Sequence, residues 1–263
     1  DLSDGDSLTL AVKQAMPDEV YNLAAQSFVG DSWTLREYTL DINAMGCARM
    51  LEAIRFVKPD AKFYQASTSE MVGEFGGLRH DESTPLRPRS PYGVSKVAAH
   101  WLTVNYRESY DMFTCCGILN NHESERRGME FVTRKISHGV AQIAKKKARH
   151  IPLGNLNARR DWGYAPDYTD AMWRMLQYDY PNDYVVATGV THTVAEFAEA
   201  AFKVVGIDDW RKYVVEEEQF KRPVDIHALC GDASMAKAIL GWEPATSFER
   251  MVEIMVEHDL EEA

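Results

Sequence analysis

The sequence predicts an α/β fold in which a parallel β-sheet is covered by helices on both faces. Three short β-rich runs, at residues 19–25, 61–67 and 113–119, alternate with longer helical segments. The runs are nearly continuous in apolar residues, which is typical of strands buried on both faces of a parallel sheet. The alternation therefore indicates a doubly wound sheet.

The remaining elements continue the same α/β pattern along the chain. Helical segments are predicted at about residues 35–57, 91–110, 167–178, 194–205 and 248–260. Further strands are predicted near residues 184–187 and 212–215. The sequence contains neither an internal repeat nor a low-complexity linker, so its helices and strands are expected to belong to compact structure throughout.

Composition and charge exclude several classes of protein. The 263 residues are 45% hydrophobic and 26% charged, which is ordinary globular composition. A net charge of −11 argues against a nucleic-acid-binding surface, because phosphate binding needs a concentrated basic face. The single basic run, residues 145–149, fits the last turn of a helix instead.

Membrane and metal binding are not expected either. No stretch approaches the roughly 18 apolar residues that a membrane span requires, and the N-terminus does not resemble a signal peptide. The four cysteines show neither CxxC pairing nor zinc-ligand spacing, so no metal site is predicted. We expect a soluble, cytoplasmic protein with reduced, buried thiols.

Polar residues that can carry acid–base chemistry follow the second predicted strand. Ser67-Thr68-Ser69-Glu70 places three hydroxyl groups and a carboxylate at the carboxyl end of that strand. Ligands of open α/β sheets bind outside these strand ends. The alternative role for Glu70 is a structural one, in which its carboxylate caps the next helix.

A tyrosine and a lysine follow at the start of the next predicted helix. In Ser90-Pro91-Tyr92-Gly93-Val94-Ser95-Lys96, proline favours a helix start, and the i, i+4 spacing places Tyr92 and Lys96 on one face. An ammonium group beside a phenol favours the phenolate, so we expect Lys96 to lower the pKa of Tyr92 and make it a usable base. The pair is stronger evidence for a catalytic site because two other motifs precede it in the chain, residues 22–27 and the hydroxyl-rich strand end.

These motifs resemble those of the extended short-chain dehydrogenase/reductases and, within them, the GDP-mannose 4,6-dehydratases. Many sugar-nucleotide enzymes share YNLAAQS (21–27), YQASTSE (64–70) and SPYGVSK (90–96). More specific to the GDP-mannose enzymes are NHESERRGMEFVTRKIS (121–137), GNLNARRDWGYAPDY (154–168) and RPVD (222–225). The resemblance covers essentially the whole chain.

The resemblance implies a fold and a reaction. The expected fold is a Rossmann-like doubly wound sheet with a smaller C-terminal α/β substrate-binding domain. Residues 1–150 are expected to form an incomplete NADP-binding domain and residues 151–263 a mainly substrate-binding region, with segments of the two interleaved. The expected reaction converts GDP-mannose to GDP-4-keto-6-deoxymannose, with internal hydride transfer through bound NADP.

Each site residue takes an expected role from the same resemblance. Thr68, Glu70, Tyr92 and Lys96 are the expected catalytic residues, with Tyr92 acting at the hydroxyl of carbon 4 and Glu70 at the hydrogen of carbon 5. The expected cofactor contacts are Asp1, Leu2, Leu23, Ala24, Ala25, Gln26, Ser27, Tyr38, Lys96, His122 and Arg127. The expected substrate contacts are Ser69, Asn121, Lys135, Arg160, Arg222 and Asp225.

The sequence departs from the family pattern at several positions. Phe28, Val72, Asn120 and Glu125 stand where the family usually has His, Tyr, Phe and Pro. No GxxGxxG motif opens the chain, and neither Gly30 nor the glycines between 73 and 77 replace it. We therefore expect an N-terminal segment of the cofactor fold to be missing, and expect the 263-residue chain alone to bind NADP poorly.

Other functions on the same scaffold remain open at this point. A GDP-sugar reductase or a sugar-nucleotide epimerase would use the same tyrosine and lysine, but a simple reductase has no need of Glu70. A non-catalytic, truncated paralogue is a second alternative, and the presence of all four catalytic residues argues against it. The resemblance also implies a homo-oligomer, either a dimer or a tetramer.

Overall fold

The fold is organised around a parallel β-sheet. A computed structural model describes residues 1–73, 79–220 and 228–263. Within these residues the main sheet has four strands in the order β1-β2-β3-β8, each parallel to its neighbours. These strands are β1 (Glu19–Asn22), β2 (Lys62–Thr68), β3 (Thr114–Leu119) and β8 (Asp183–Val186).

Helices flank this sheet and also build a second part of the molecule. They are α1 (Gly5–Ala15), α2 (Arg36–Leu40), α3 (Gly46–Val57), α4 (Pro91–Tyr110), α5 (Val132–Ala144), α6 (Ala165–Gln177), α7 (Val194–Val204), α8 (Ser234–Leu240) and α9 (Phe248–Glu262). None of these helices, in the ranges that the structure describes, is long and apolar enough to cross a membrane.

Adjacent strand residues face opposite sides of the main sheet, because side chains alternate along a strand. Phe63 packs with Leu51 of α3 and Ala99 of α4 on one side. Tyr64 packs with Met172 of α6 and Leu240 of α8 on the other. Both faces are therefore buried under helices, which confirms the predicted doubly wound α/β class.

A second hydrophobic core lies among α5, α7 and α9. Val140 of α5, Phe197 of α7 and Met255 of α9 are fully buried there. Small sheets border this core: they comprise β4 (Asn121–Glu123), β5 (Ile151–Leu153), β6 (Arg159–Arg160), β7 (Trp162–Tyr164), β9 (His192–Thr193), β10 (Val214–Glu216) and β11 (Ala228–Leu229). β8 comes from the second half of the chain yet joins the main sheet. The division of the chain near residue 150 into a cofactor-binding and a substrate-binding region stays a prediction.

The predicted elements and the observed ones differ in several places, among them the first strand, which was predicted at residues 19–25 and ends at Asn22. The helix predicted at residues 35–57 contains a π-helical segment, Asp41–Met45, between α2 and α3. The strand predicted at residues 212–215 begins only at Val214, after a 3₁₀ turn at Trp210–Tyr213. The basic run predicted for the last turn of a helix lies beyond it, because α5 ends at Ala144.

Candidate active site

The carboxyl end of β2 turns sharply into a short 3₁₀ helix, Ser69–Met71. Thr68 begins this turn, and its hydroxyl accepts a hydrogen bond from the backbone N–H of Glu70 at 3.2 Å. The cap of the turn is thus Thr68, whereas the sequence had left open a capping role for Glu70. Ser69 is buried within the turn.

The start of α4 approaches this turn closely. Ser90 caps the helix by accepting a hydrogen bond from the N–H of Gly93 at 3.0 Å, and Pro91 occupies the first turn. A Cβ atom at Gly93 would lie 2.9 Å from the carbonyl oxygen of Glu70. The absence of a side chain at Gly93 therefore allows α4 to bring Tyr92 next to the turn that carries Glu70.

The side chain of Tyr92 is buried between Thr68 and charged groups of both signs. The pKa of Tyr92 is raised to about 12, chiefly by burial and further by the charge of Glu70. A hydrogen bond with Thr68 and the charge of Arg127 act in the opposite direction. Thr68, Glu70 and Tyr92, separated by up to 24 positions in the sequence, thus meet at one point.

Lys96 lies one helical turn after Tyr92 and is also buried. Its ammonium group donates a hydrogen bond to the carbonyl oxygen of Ala66 at 2.9 Å and lies 5.8 Å from the ring centroid of Tyr92. Burial lowers the pKa of Lys96 to about 8. The expectation that Lys96 lowers the pKa of Tyr92 is corrected here, because Thr68 and Arg127 are the groups that do so.

The segment after β1 carries the small residues predicted to contact the cofactor. Leu23 and Ala24 are exposed there, and Leu23 retains 52% of its accessible surface. An exposed apolar side chain next to small residues at a strand end suits the close approach of a ring system and a phosphate-bearing chain. The residues present therefore fit a dinucleotide.

Asn43 holds this segment in place. This side chain, buried in the π-helical segment, accepts a hydrogen bond from the N–H of Gln26 at 2.8 Å and donates one to the carbonyl oxygen of Gln26 at 3.0 Å. It also donates to the hydroxyl of Ser95 on α4 at 2.9 Å, and that hydroxyl donates to the carbonyl oxygen of Tyr92. Asn43 thus connects the predicted cofactor segment to the helix of Tyr92.

Asn121 and His122 lie on β4, which follows β3 directly. The Nδ1 atom of His122 lies 2.9 Å from the carbonyl oxygen of Asn120, and its ring stacks on Tyr168 with centroids 5.0 Å apart. A carbonyl oxygen can only accept, so Nδ1 carries the proton and donates. Burial lowers the pKa of His122, which favours a neutral ring with Nε2 available as an acceptor.

A large cavity opens next to β4 and α5. Its volume is about 1050 Å³, at the upper end for small-molecule sites. Of the predicted site residues that the structure describes, four line this cavity, namely Asn121, Arg127, Lys135 and Arg160. The predicted catalytic residues are not part of this lining, but Arg127 connects the two regions because it lines the cavity and its charge acts on Tyr92.

Basic side chains give this cavity its positive groups. The ammonium of Lys135 lies 3.6 Å from the ring centroid of Phe220, and burial lowers its pKa. Arg160 is buried, and its guanidinium donates to the carbonyl oxygen of Arg159 at 2.8 Å. Among the residues that the structure describes, no cluster of three or more His, Cys, Asp or Glu has an arrangement that could hold a metal ion.

Several predicted contacts lie apart from this cluster. Leu2 is buried against α3, and Tyr38 is exposed on α2. Asp1 is exposed and accepts hydrogen bonds from Ser3. Arg222 and Asp225 lie outside the described residues. The roles assigned to all of these residues stay predictions.

Sequence reasoning missed two residues that organise the site, Asn43 and Glu123. Both are buried polar residues, and buried polar groups in proteins nearly always have specific partners. A polar residue in an apolar helical pattern was the available signal for Asn43. For Glu123, the signal was a carboxylate four residues before Arg127.

Comparison with known sequences gives consistent relatives along the whole chain. The family profile described as GDP-mannose 4,6 dehydratase matches residues 1–255. GDP-mannose 4,6 dehydratase 2 of Arabidopsis thaliana is 50% identical over 265 residues, covering 99% of this chain and 70% of the relative. The Homo sapiens GDP-mannose 4,6 dehydratase is 43% identical over 279 residues, covering 99% of this chain and 75% of the relative.

Solved structures agree with the fold. RMD from Pseudomonas aeruginosa, complexed with NADPH, superposes with a TM-score of 0.91 at 22% identity, covering 100% of this chain and 86% of that one. UDP-glucose 4-epimerase of Thermus thermophilus, in complex with NAD, gives a TM-score of 0.85 at 26% identity over 98% of this chain and 83% of that one. With the sequence matches, these findings confirm the resemblance: the chain belongs to the GDP-mannose 4,6-dehydratase family.

Proposed function

We propose that the protein is a GDP-mannose 4,6-dehydratase, a hydro-lyase that converts GDP-mannose to GDP-4-keto-6-deoxymannose with no net redox change. The observation that carries the proposal is the meeting of Tyr92, Thr68 and Glu70 at the end of β2. Elimination of water next to a carbonyl needs one group at the oxygen and another at the neighbouring carbon. Family membership supplies the substrate.

Tyr92 acts first, as the base that takes the proton from the hydroxyl of carbon 4. Thr68 has a single O–H: it donates to the Tyr92 oxygen before the substrate binds, and with the substrate bound it donates instead to the oxygen at carbon 4 and stabilises negative charge there. NADP, when bound, supplies a hydride acceptor and later a hydride donor. The pKa of about 12 already includes the hydrogen bond with Thr68 and the charge of Arg127, so loss of either group should raise the pKa of Tyr92 further and slow this first step.

Glu70 acts second, once carbon 4 is a ketone. The carbonyl group acidifies the hydrogen on carbon 5; the carboxylate of Glu70 takes this hydrogen as a proton and passes it to the carbon 6 hydroxyl, which leaves as water. Glu70 follows Tyr92 in this order because its task depends on the ketone. A GDP-sugar reductase does not need this carboxylate, and Glu70 therefore favours the dehydratase.

Binding groups for both ligands are available. Exposed Leu23 and Ala24, with the backbone of Gln26 fixed by Asn43, would hold the dinucleotide. Lys135 and Arg160 in the 1050 Å³ cavity would neutralise the pyrophosphate of GDP-mannose. NADP is proposed over NAD by analogy with RMD, the neighbour that is complexed with NADPH.

The proposal includes an oligomer. Large apolar side chains are exposed on α3 and α4, which pack side by side: Phe56, Trp101 and Tyr110 retain half or more of their accessible surface. Exposed apolar surface of this kind commonly marks a protein interface. We propose a homo-oligomer, a dimer or a tetramer, in the cytoplasm. Light scattering in line with size-exclusion chromatography tests the oligomer directly.

The test of the function uses GDP-mannose labelled with deuterium at carbon 4. Incubation with the protein and NADP should give a 4-keto-6-deoxy product whose label is found at carbon 6 by NMR. Tyr92→Phe should abolish all turnover. Glu70→Gln should block elimination; full activity in that variant would show that the base at carbon 5 is wrongly assigned. Turnover of another sugar nucleotide but not of GDP-mannose would contradict the substrate.

A further inference from the structure

A buried carboxylate lies behind the arginine-bearing loop. The side chain of Glu123, at the end of β4, is only 1% exposed. One carboxylate oxygen accepts a hydrogen bond from the hydroxyl of Thr133 at 2.6 Å and lies 3.1 Å from Nε of Arg127. A buried carboxylate is costly unless it is paired and hydrogen-bonded, and these two contacts hold the side chain of Glu123 in a fixed position.

The guanidinium of Arg127 also packs on an aromatic ring. Its central carbon lies 3.5 Å from the ring centroid of Phe131, a distance at which a cation is attracted to the ring face. Phe131 in turn packs against Phe28, with centroids 5.6 Å apart and the rings edge to face. An ion pair and a ring face together therefore set the position of a side chain that would otherwise be flexible.

This fixed guanidinium acts on the proposed base. Among the described residues, the charged groups around Tyr92 come from three elements: Glu70 from the 3₁₀ turn after β2, Lys96 from α4, and Arg127 from the loop after β4. The charge of Glu70 raises the pKa of Tyr92, and the charge of Arg127 lowers it. Arg127 is thus the cation that offsets Glu70 at the phenol.

We propose that Glu123 is a positioning residue for the dehydratase: its buried carboxylate holds Arg127 on Phe131, within electrostatic reach of the Tyr92 phenol. The role rests on the proposed function, because it assigns Tyr92 as the base. Glu123 contacts neither of the reacting carbons in this scheme. It acts through Arg127, whose charge would otherwise be mobile and screened by solvent.

Glu123→Gln distinguishes positioning from simple charge removal, since the two effects have opposite signs. If Arg127 stays in place without its counter-ion, its field at Tyr92 strengthens and the pKa of Tyr92 falls. If Arg127 is released, the field weakens and the pKa of Tyr92 rises. Positioning predicts the rise, by about 0.5 to 1 pH unit, which corresponds to a three- to tenfold lower kcat/KM at neutral pH.

The direct measurement is NMR of protein labelled with [¹³Cζ]tyrosine, with the Tyr92 signal identified by its loss in Tyr92→Phe. The onset of ionisation is compared between the parent and Glu123→Gln over the pH range in which both are folded by circular dichroism. A later onset in the variant supports the proposal. An unchanged or earlier onset overturns it. Because this readout needs no turnover, it is separate from any failure of the proposed reaction.

Further variants guard against a loss of folding and a general effect of charge. Arg127→Met should show the same later onset of Tyr92 ionisation although Glu123 is intact. Arg127→Lys should bring that onset part of the way back to the parent's. Glu125→Gln is the matched control, because this carboxylate on the same loop contacts Tyr164 instead of Arg127; its profile should match the parent. If Arg127→Met weakens NADP binding but leaves the Tyr92 onset unchanged, Arg127 serves the cofactor alone and the proposal is wrong.

Discussion

At the scale of single residues, Gly93 sets how closely the helix of Tyr92 approaches the turn of Glu70. A Cβ atom added by Gly93→Ala would lie 2.9 Å from the carbonyl oxygen of Glu70 and 3.0 Å from Cβ of Pro88. We expect a destabilisation of about 1–3 kcal/mol, typical of overpacking, instead of the gain of about 1 kcal/mol that alanine gives in an open helix. Urea unfolding measures the difference.

The same substitution should separate Tyr92 from Glu70 and lower kcat more than it changes KM. Val94→Ala is the matched control, because the next side chain along the helix is exposed and its shortening leaves the approach unchanged. A stable Gly93→Ala variant with the parent kcat would show that the close approach does not matter for the reaction.

Lys96 gives a stability prediction whose sign follows from its pKa. Burial lowers this pKa to about 8, below the usual value of about 10.4 in an unfolded chain. Between these values the unfolded chain binds the proton and the folded protein does not, so folding stability rises with pH. From about pH 7.5 to about pH 9.5, Lys96 should add about 2 kcal/mol to the free energy of unfolding.

Lys96→Met isolates this contribution from that of all other titrating groups. Urea unfolding at about pH 7.5 and about pH 9.5 gives, at each pH, the difference in free energy of unfolding between the variant and the parent. This difference should favour the variant more at the lower pH. Equal differences at both pH values would mean that Lys96 keeps an ordinary pKa in the folded protein. The pH range of this experiment stays below about 10, the ordinary pKa of tyrosine, so that the ionisation of tyrosines contributes little.

At the scale of elements, the π-helical segment Asp41–Met45 joins two parts of the site. It presents Asn43 so that one amide bonds the N–H and carbonyl groups of Gln26 and also the hydroxyl of Ser95. Asn43→Ala should weaken NADP binding by about tenfold, because each lost buried hydrogen bond contributes about 1 kcal/mol or more. Isothermal titration calorimetry measures this affinity.

Ser95→Ala removes only the hydrogen bond between Asn43 and α4. It should weaken NADP binding less than Asn43→Ala does, since both bonds to Gln26 remain. The reverse order would place the important contact at the catalytic helix instead of the cofactor segment.

Much of the fold could be predicted from the sequence, because it depends on local patterns, whereas the roles of the candidate catalytic residues stay predictions. The predicted helix at residues 91–110 matches α4 (Pro91–Tyr110), where Ser90 and Pro91 give a strong start signal. The contacts of Asn43 could not be predicted, since they join residues 17 and 52 positions apart. The prediction that Lys96 lowers the pKa of Tyr92 was wrong: the ammonium group bonds to the carbonyl oxygen of Ala66, 30 positions away, and spacing along a helix does not reveal such a contact.

At the scale of the whole molecule, the C-terminal helix supports the substrate side of the site from a distance. Asp259 of α9 is fully buried; its carboxylate lies 2.7 Å from the guanidinium of Arg134 on α5 and accepts a hydrogen bond from Ser137 at 2.6 Å. Lys135, which lines the cavity, is the neighbour of Arg134 on the same helix. The two helices also share the second hydrophobic core.

Asp259→Asn should therefore act on the substrate without acting on the cofactor. It removes the buried counter-ion of Arg134 and leaves only the exposed Glu262 nearby; breaking a buried pair costs about 3–5 kcal/mol, and α5 should shift or loosen as a result. We expect a several-fold higher KM for GDP-mannose with little change in the Kd for NADP, which depends on the main sheet. Glu262→Gln is the control, because this exposed carboxylate lies 3.8 Å from the same guanidinium. Equal losses of affinity for both ligands would mean that the two cores respond as one unit.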